Sequence, residues 1–140
     1  MKVMTHIKNN IMITEDYCSY ELSKLLKEKG FNDEVRTYYQ FDNETKEAEL
    51  IHDDRLDTPN LWCGDYVSAP THQMAMKWLR EEYNIFIDIR RSLNTYLYGA
   101  IIRKDPSYTF NKIPEQFETY EDAVEEDSMN LKYCNYDTRI

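Results

Sequence analysis

Residues 68–90 read SAPTHQMAMKWLREEYNIFIDIR, and two periods meet within them. Ser68, Ala69, Pro70 and Thr71 supply cap residues and a proline suited to a first helical turn. Met74, Ala75, Trp78 and Leu79 then form one apolar stripe that runs through Tyr83. Past Asn84 the period drops to two: Ile85, Ile87 and Ile89 alternate with Phe86, Asp88 and Arg90, the pattern of a half-buried strand. A loop through Arg91, Ser92, Leu93, Asn94 and Thr95 leads back into a second strand from Tyr96 to Arg103, in which Gly99 reads as a packing glycine or a bulge. The unit is a helix followed by a hairpin.

The same plan lies upstream. Ser19 can cap a helix with Glu21 in its first turn, Leu22, Leu25 and Leu26 on one stripe, Lys27 and Lys29 near its end and Gly30 as the stop; Thr14 is a rival cap. Val35, Thr37, Tyr39 and Phe41 then alternate with Arg36, Tyr38 and Gln40. Asp42-Asn43-Glu44-Thr45 carries turn chemistry, and Glu47 to His52 returns. The units superpose at an offset of 53, with Lys24-Leu25-Leu26-Lys27-Glu28 over Lys77-Trp78-Leu79-Arg80-Glu81, an architectural repeat that is safer than a claim of duplication. Downstream, Thr119 caps Tyr120-Glu121-Asp122, and Ala123, Val124, Asp127 and Leu131 continue a third helix toward Tyr133 and Cys134.

The expected order is α-β-β-α-β-β-α in a single domain over 1–140, with residues 1–13 a flexible or strand-forming lead-in. Stripes on three helices and two hairpins predict an α+β fold: an antiparallel sheet of about four strands with the helices on one face. Between Asp53 and Val67 about 15 residues lack periodicity, the length at which a loop is functional or disordered.

Three stretches resemble small uncharacterised proteins encoded by phages, prophages and mobile elements of gut Bacteroides: residues 68–81 followed by Tyr83-Asn84-Ile85-Phe86-Ile87, Glu21-Leu22-Ser23-Lys24-Leu25-Leu26-Lys27-Glu28-Lys29-Gly30-Phe31, and Thr119-Tyr120-Glu121-Asp122-Ala123. Asp42 to Asp65 does not match. The resemblance implies a phage or mobile-element origin, a bacterial cytoplasmic location and a small α+β domain, and it carries no activity, cofactor or catalytic residue.

Composition narrows the classes. Leu, Ile, Val and Phe make up only thirty of 140 residues, while 12 Tyr and 2 Trp supply the remaining core bulk. The net charge of −9 argues against direct binding to nucleic acid. No run approaches the roughly 18 apolar residues of a membrane span, and no secretory signal pattern stands at the N-terminus. Cys18, Cys63 and Cys134 are odd in number and lack a CxxC pair, which reads as reduced thiols in the cytoplasm.

No catalytic, cofactor or metal motif is present. Gly30, Gly64 and Gly99 are isolated, so nothing resembles a phosphate cradle, and no HxxxH, HExxH or calcium-loop pattern occurs. Cys63, between Trp62 and Gly64, with His72 nine residues on, is the one thiol with a sequence-near base, although Asp53, Asp54, Asp57 and Asp65 would raise its pKa. His52-Asp53-Asp54 with Asp65 and His72 offers metal-ligand types, but is expected to end a strand and open a turn, with His72 in an exposed first turn of helix. The strongest electrostatic feature is Glu115, Glu118, Glu121, Asp122, Glu125, Glu126 and Asp127, seven acids in thirteen residues without a Lys or Arg. Tyr39, Tyr96, Tyr98 and Tyr108 are core fillers or contact residues.

Three readings follow. The leading one is a non-enzymatic domain that binds a host or phage protein. The second is an acidic DNA mimic occupying a nucleic-acid-binding enzyme, and the third a small hydrolase or metal protein using Cys63, His72 and the His52-Asp53-Asp54 group. A two-fold homodimer through an edge strand or the tyrosine face is open to any of them.

Overall fold

In the computed structural model the described residues are 15–91, 97–105, 108–110, 116–129 and 131. The expectations for Thr14, the lead-in 1–13, the loop at 92–96, Glu115 and Cys134 fall outside them. The chain runs α1 (Tyr20–Glu28), β1 (Val35–Asp42), β2 (Glu47–Asp57), a 3-10 turn (Pro59–Leu61), β3 (Tyr66–Ser68), α2 (His72–Tyr83), β4 (Phe86–Arg91), β5 (Tyr98–Asp105), β6 (Tyr108–Phe110) and α3 (Tyr120–Ser128). This is an α+β fold in which both expected hairpins and all three helices are present.

The helix ends obey local chemistry. Ser19, Thr71 and Thr119 each cap a helix, their hydroxyls accepting from the backbone N–H of Leu22, Met74 and Asp122 at 3.1, 3.2 and 3.0 Å. Pro70 therefore precedes the cap of α2 instead of opening its first turn. At the end of α1, Gly30 takes φ +101° while Gly30 N–H reaches Lys27 O and Phe31 N–H reaches Leu26 O. That pair of bonds closes the helix and turns Phe31 into the core. Asn84 plays the left-handed role after α2, at φ +57°.

The expected strands are divided between two antiparallel sheets, each hairpin gaining a short third strand. In the first the order is β2-β1-β3, so the opening strand of the unit is central; in the second it is β4-β5-β6, so the returning strand is central. The helix-hairpin repeat thus holds, but the third strand adds on opposite sides of the two hairpins. Pairing of β4 with β5 is unbroken from Phe86↔Arg103 to Arg91↔Tyr98. Gly99 therefore sits opposite Arg90 in an unbroken ladder, not at a bulge.

The aperiodic stretch from Asp53 is largely ordered. β2 carries on to Asp57, opposite Val35, and the 3-10 turn and β3 follow, leaving few irregular residues. β2 is an edge strand with most of its residues at least partly exposed, so charged side chains suit both its faces and no apolar alternation marks it. His52, Asp53 and Asp54 accordingly lie within the strand and do not end it.

Leu22, Leu25 and Leu26 of α1 and Ala75, Trp78, Leu79 and Tyr83 of α2 share one core with Cys18, Phe31, Val35, Ile85 and Leu131. Phe31 and Trp78 meet edge to face at 5.4 Å between centroids. Polar groups at its margin are matched: Tyr83 Oη donates to Lys29 O at 2.8 Å, and Thr37 Oγ1 donates to Ala69 O at 2.6 Å. Buried Asn60 donates from its amide to Phe31 O and accepts from Ser68 N–H, both at 2.7 Å, which pins the 3-10 turn to β3 and to the loop after α1.

Candidate functional site

Cys18, His72 and Glu125 converge from three distant parts of the chain. Residues 16–18 lie antiparallel to residues 70–72, with Tyr17 bridged to Thr71, Cys18 N–H donating to Pro70 O and His72 N–H donating to Asp16 O, both at 2.9 Å. This short ribbon runs directly into α1 on one side and α2 on the other, which places Cys18 just before one helix and His72 at the start of the other. α3 then supplies Glu125. A sulfur, a ring nitrogen and a carboxylate oxygen from these three residues lie within 4.8 Å of one another.

Glu125 Oε2 is the hub. It accepts from the backbone N–H of Ser19 at 2.9 Å and lies 2.6 Å from His72 Nε2. One oxygen thus holds the caps and starts of α1 and α2, where the positive ends of two helix dipoles favour negative charge. Burial pushes the Glu125 carboxyl upward, but the hydrogen bonds from His72 and Ser19 outweigh it and hold the group below its ordinary value. Ionised, Glu125 only accepts, so Nε2 carries the hydrogen. His72 Nδ1 is buried with no hydrogen-bond partner.

Cys18 is fully buried, with its sulfur 4.0 Å from Thr71 O. Burial, reinforced by the negative Glu125, pushes its thiol well above the ordinary range. The backbone carbonyl of Cys18 accepts from Tyr39 Oη at 2.7 Å; burial and then Glu125 raise that phenol to about 12. A neutral, enclosed thiol is a poor nucleophile. Beside His72 a cavity of about 180 Å3 is lined by Glu15, Asp16, Thr71, His72, Gln73 and Tyr120.

Of the three residues singled out in the sequence, only His72 belongs to this cluster, and it is 5% exposed rather than set in an open first turn, because the 16–18 segment and α3 cover it. Cys63 is exposed in the turn between the 3-10 segment and β3. His52 is exposed on β2, its ring edge-on to Tyr17 at 5.5 Å. The thiol that joins a histidine is Cys18, 54 residues before His72; sequence proximity favoured Cys63 because it contains no information about the bridge between Tyr17 and Thr71.

The acidic segment is likewise redistributed. Glu118, Asp122 and Glu126 are exposed and Glu121 is half-buried, whereas Glu125 turns to His72 and Asp127 is buried. The helical period rotates Ala123, Val124 and Asp127 toward the core, so the acids cannot all share one face.

On the first sheet, Tyr38, Trp62 and Tyr66 interlock edge to face at 5.0, 5.8 and 5.3 Å between centroids. Gly64, at φ +107°, makes the turn that lets Trp62 and Tyr66 meet; a Cβ there would come within 3.2 Å of the Tyr66 ring. The flanking Leu61 is 64% exposed. No helix among the described residues is long and apolar enough to cross a membrane. Comparison with family models, curated proteins and solved structures found no match for this chain.

Proposed function

We propose that this protein is a small, non-enzymatic interaction domain that binds a protein of its bacterial host or of the phage or mobile element that encodes it. The observation that carries this reading is the aromatic group of Tyr38, Trp62 and Tyr66 beside the exposed Leu61. Half-buried aromatic rings next to an exposed aliphatic are the composition of interface cores, with Trp and Tyr frequent among the residues that dominate binding. Asp65 at the same turn and the acids of the β1–β2 hairpin give the rim a negative charge, which suits a basic partner. The enclosed, neutral Cys18 thiol and the exposed, isolated Cys63 favour a binding role over nucleophilic catalysis.

The test is capture from host lysate with the wild-type chain and with Leu61→Asp and Trp62→Ala, each checked for an unchanged circular dichroism spectrum. A specific protein retained by the wild type and lost in both variants is expected. No band above background, or equal capture by Leu61→Asp, refutes the reading. The alternative of an acidic DNA mimic rests on the exposed Glu118, Asp122 and Glu126. Lysine at these three positions, with Glu125 left intact, should then abolish capture while Leu61→Asp does not.

A further inference from the structure

The Cys18, His72 and Glu125 cluster bears on metal chemistry separately from the aromatic surface. Thiolate, imidazole and carboxylate are the donor types of tetrahedral zinc sites, where bond lengths near 2.0 to 2.3 Å bring the donors about 3.3 to 3.8 Å apart. The present donors lie within 4.8 Å of one another, with the His72–Glu125 pair at 2.6 Å, so shifts of about 1 Å in the donor separations reach those values. A second, independent feature points the same way. The His72 ring is 7% exposed at its side chain, and its Nδ1 is buried with no hydrogen-bond partner. Buried polar atoms are nearly always satisfied, and the unpartnered Nδ1 can take up the ring proton, so that Nε2 exchanges its hydrogen bond to Glu125 for a cation that the carboxylate also ligates.

We propose that Cys18, His72 and Glu125 bind a divalent cation of the zinc class, with water from the adjoining cavity as the fourth ligand. The donor set mixes nitrogen, sulfur and oxygen, which suits zinc or cobalt(II) and excludes the all-oxygen preference of calcium and magnesium. The cavity of about 180 Å3 that reaches His72 offers both a route for the ion and room for a water. On binding, the sulfur–cation bond forms as the Cys18 thiol proton leaves to water; no oxidant or reductant takes part. The ion would cross-link the 16–18 segment, α2 and α3 at the point where the hydrogen bonds of Glu125 already meet.

The experiment uses the untagged full chain, stripped with chelator and then dialysed against zinc or cobalt(II), with bound metal quantified and the cobalt spectrum recorded. One ion per chain, a thiolate-to-cobalt absorption band and a higher thermal midpoint with zinc are expected. Cys18→Ser should abolish the band and weaken binding by at least about tenfold, while Cys63→Ser keeps both. His72→Gln and Glu125→Gln serve as further variants should Cys18→Ser not fold, and each should weaken binding similarly. Substoichiometric metal at micromolar free zinc in the wild type, or a cobalt–thiolate band that survives Cys18→Ser in folded protein, overturns the proposal.

Discussion

Replacing Glu125 with alanine removes the acceptor shared by Ser19 N–H and His72 Nε2. Hydrogen bonds to a charged partner contribute about 1.5 to 3 kcal/mol each, and breaking a buried pair reaches about 3 to 5 kcal/mol. The Glu125 side chain retains 24% exposure, so water screens part of the interaction and the lower end applies. A loss of about 3 kcal/mol is expected, equivalent to a fall of roughly 12 °C in thermal midpoint for a chain of this size. The assay is urea and thermal unfolding with chelator present, so that bound metal does not contribute. Glu126→Ala, on the exposed face of the same helix, should stay within about 0.5 kcal/mol. A double-mutant cycle with His72→Ala should return a coupling of about 1 kcal/mol or more. The sign with pH follows from the depressed carboxyl. Its stabilisation is fully present above the unfolded value near 4.5 and fades as pH drops through the lower folded value, so wild type and Glu125→Gln should converge in strongly acidic solution. A deficit for Glu125→Ala below about 1 kcal/mol at neutral pH would refute the claim that this one oxygen joins the starts of two helices.

Other consequences are equally direct. Tyr39→Phe should cost about 1 kcal/mol by removing the bond to Cys18 O. It should also delete the phenolate absorbance step at about 12; because the folded value lies above the unfolded 10.0, this residue's contribution is intact below pH 10 and lost as pH rises through about 12. Asn60→Ala breaks the bonds to Phe31 O and Ser68 N–H and should destabilise by about 2 to 3 kcal/mol, read as a lower urea midpoint at unchanged slope. In a Cys134→Ser background, Cys63 should react with a thiol reagent at once and Cys18 only on unfolding; two fast thiols in native protein would contradict the burial of Cys18.

The elements themselves were readable because their signals are local. Thr71 and Met74, or Ile85, Ile87 and Ile89, lie within a few residues of one another, and caps and periods follow from the backbone geometry of that short span. β2 past His52 was not readable, since an exposed edge strand has no buried face to impose alternation. The inward turn of Glu125 within a run of acids was hidden for a related reason: composition counts charges, while the helical period decides which of them meets His72.

By itself the sequence determined three capped helices, two hairpins, an acidic net charge and a core that leans on aromatic rings. The tertiary structure alone decided the division into two sheets with different central strands and the meeting of Cys18, His72 and Glu125. Ser19 and Glu125 are 106 residues apart, and His72 and Glu125 53 apart. No short-range spacing encodes such a contact; it arises when burial of the α1, α2 and α3 stripes brings their ends together, and only then does one carboxylate meet a backbone N–H and an imidazole in the same place.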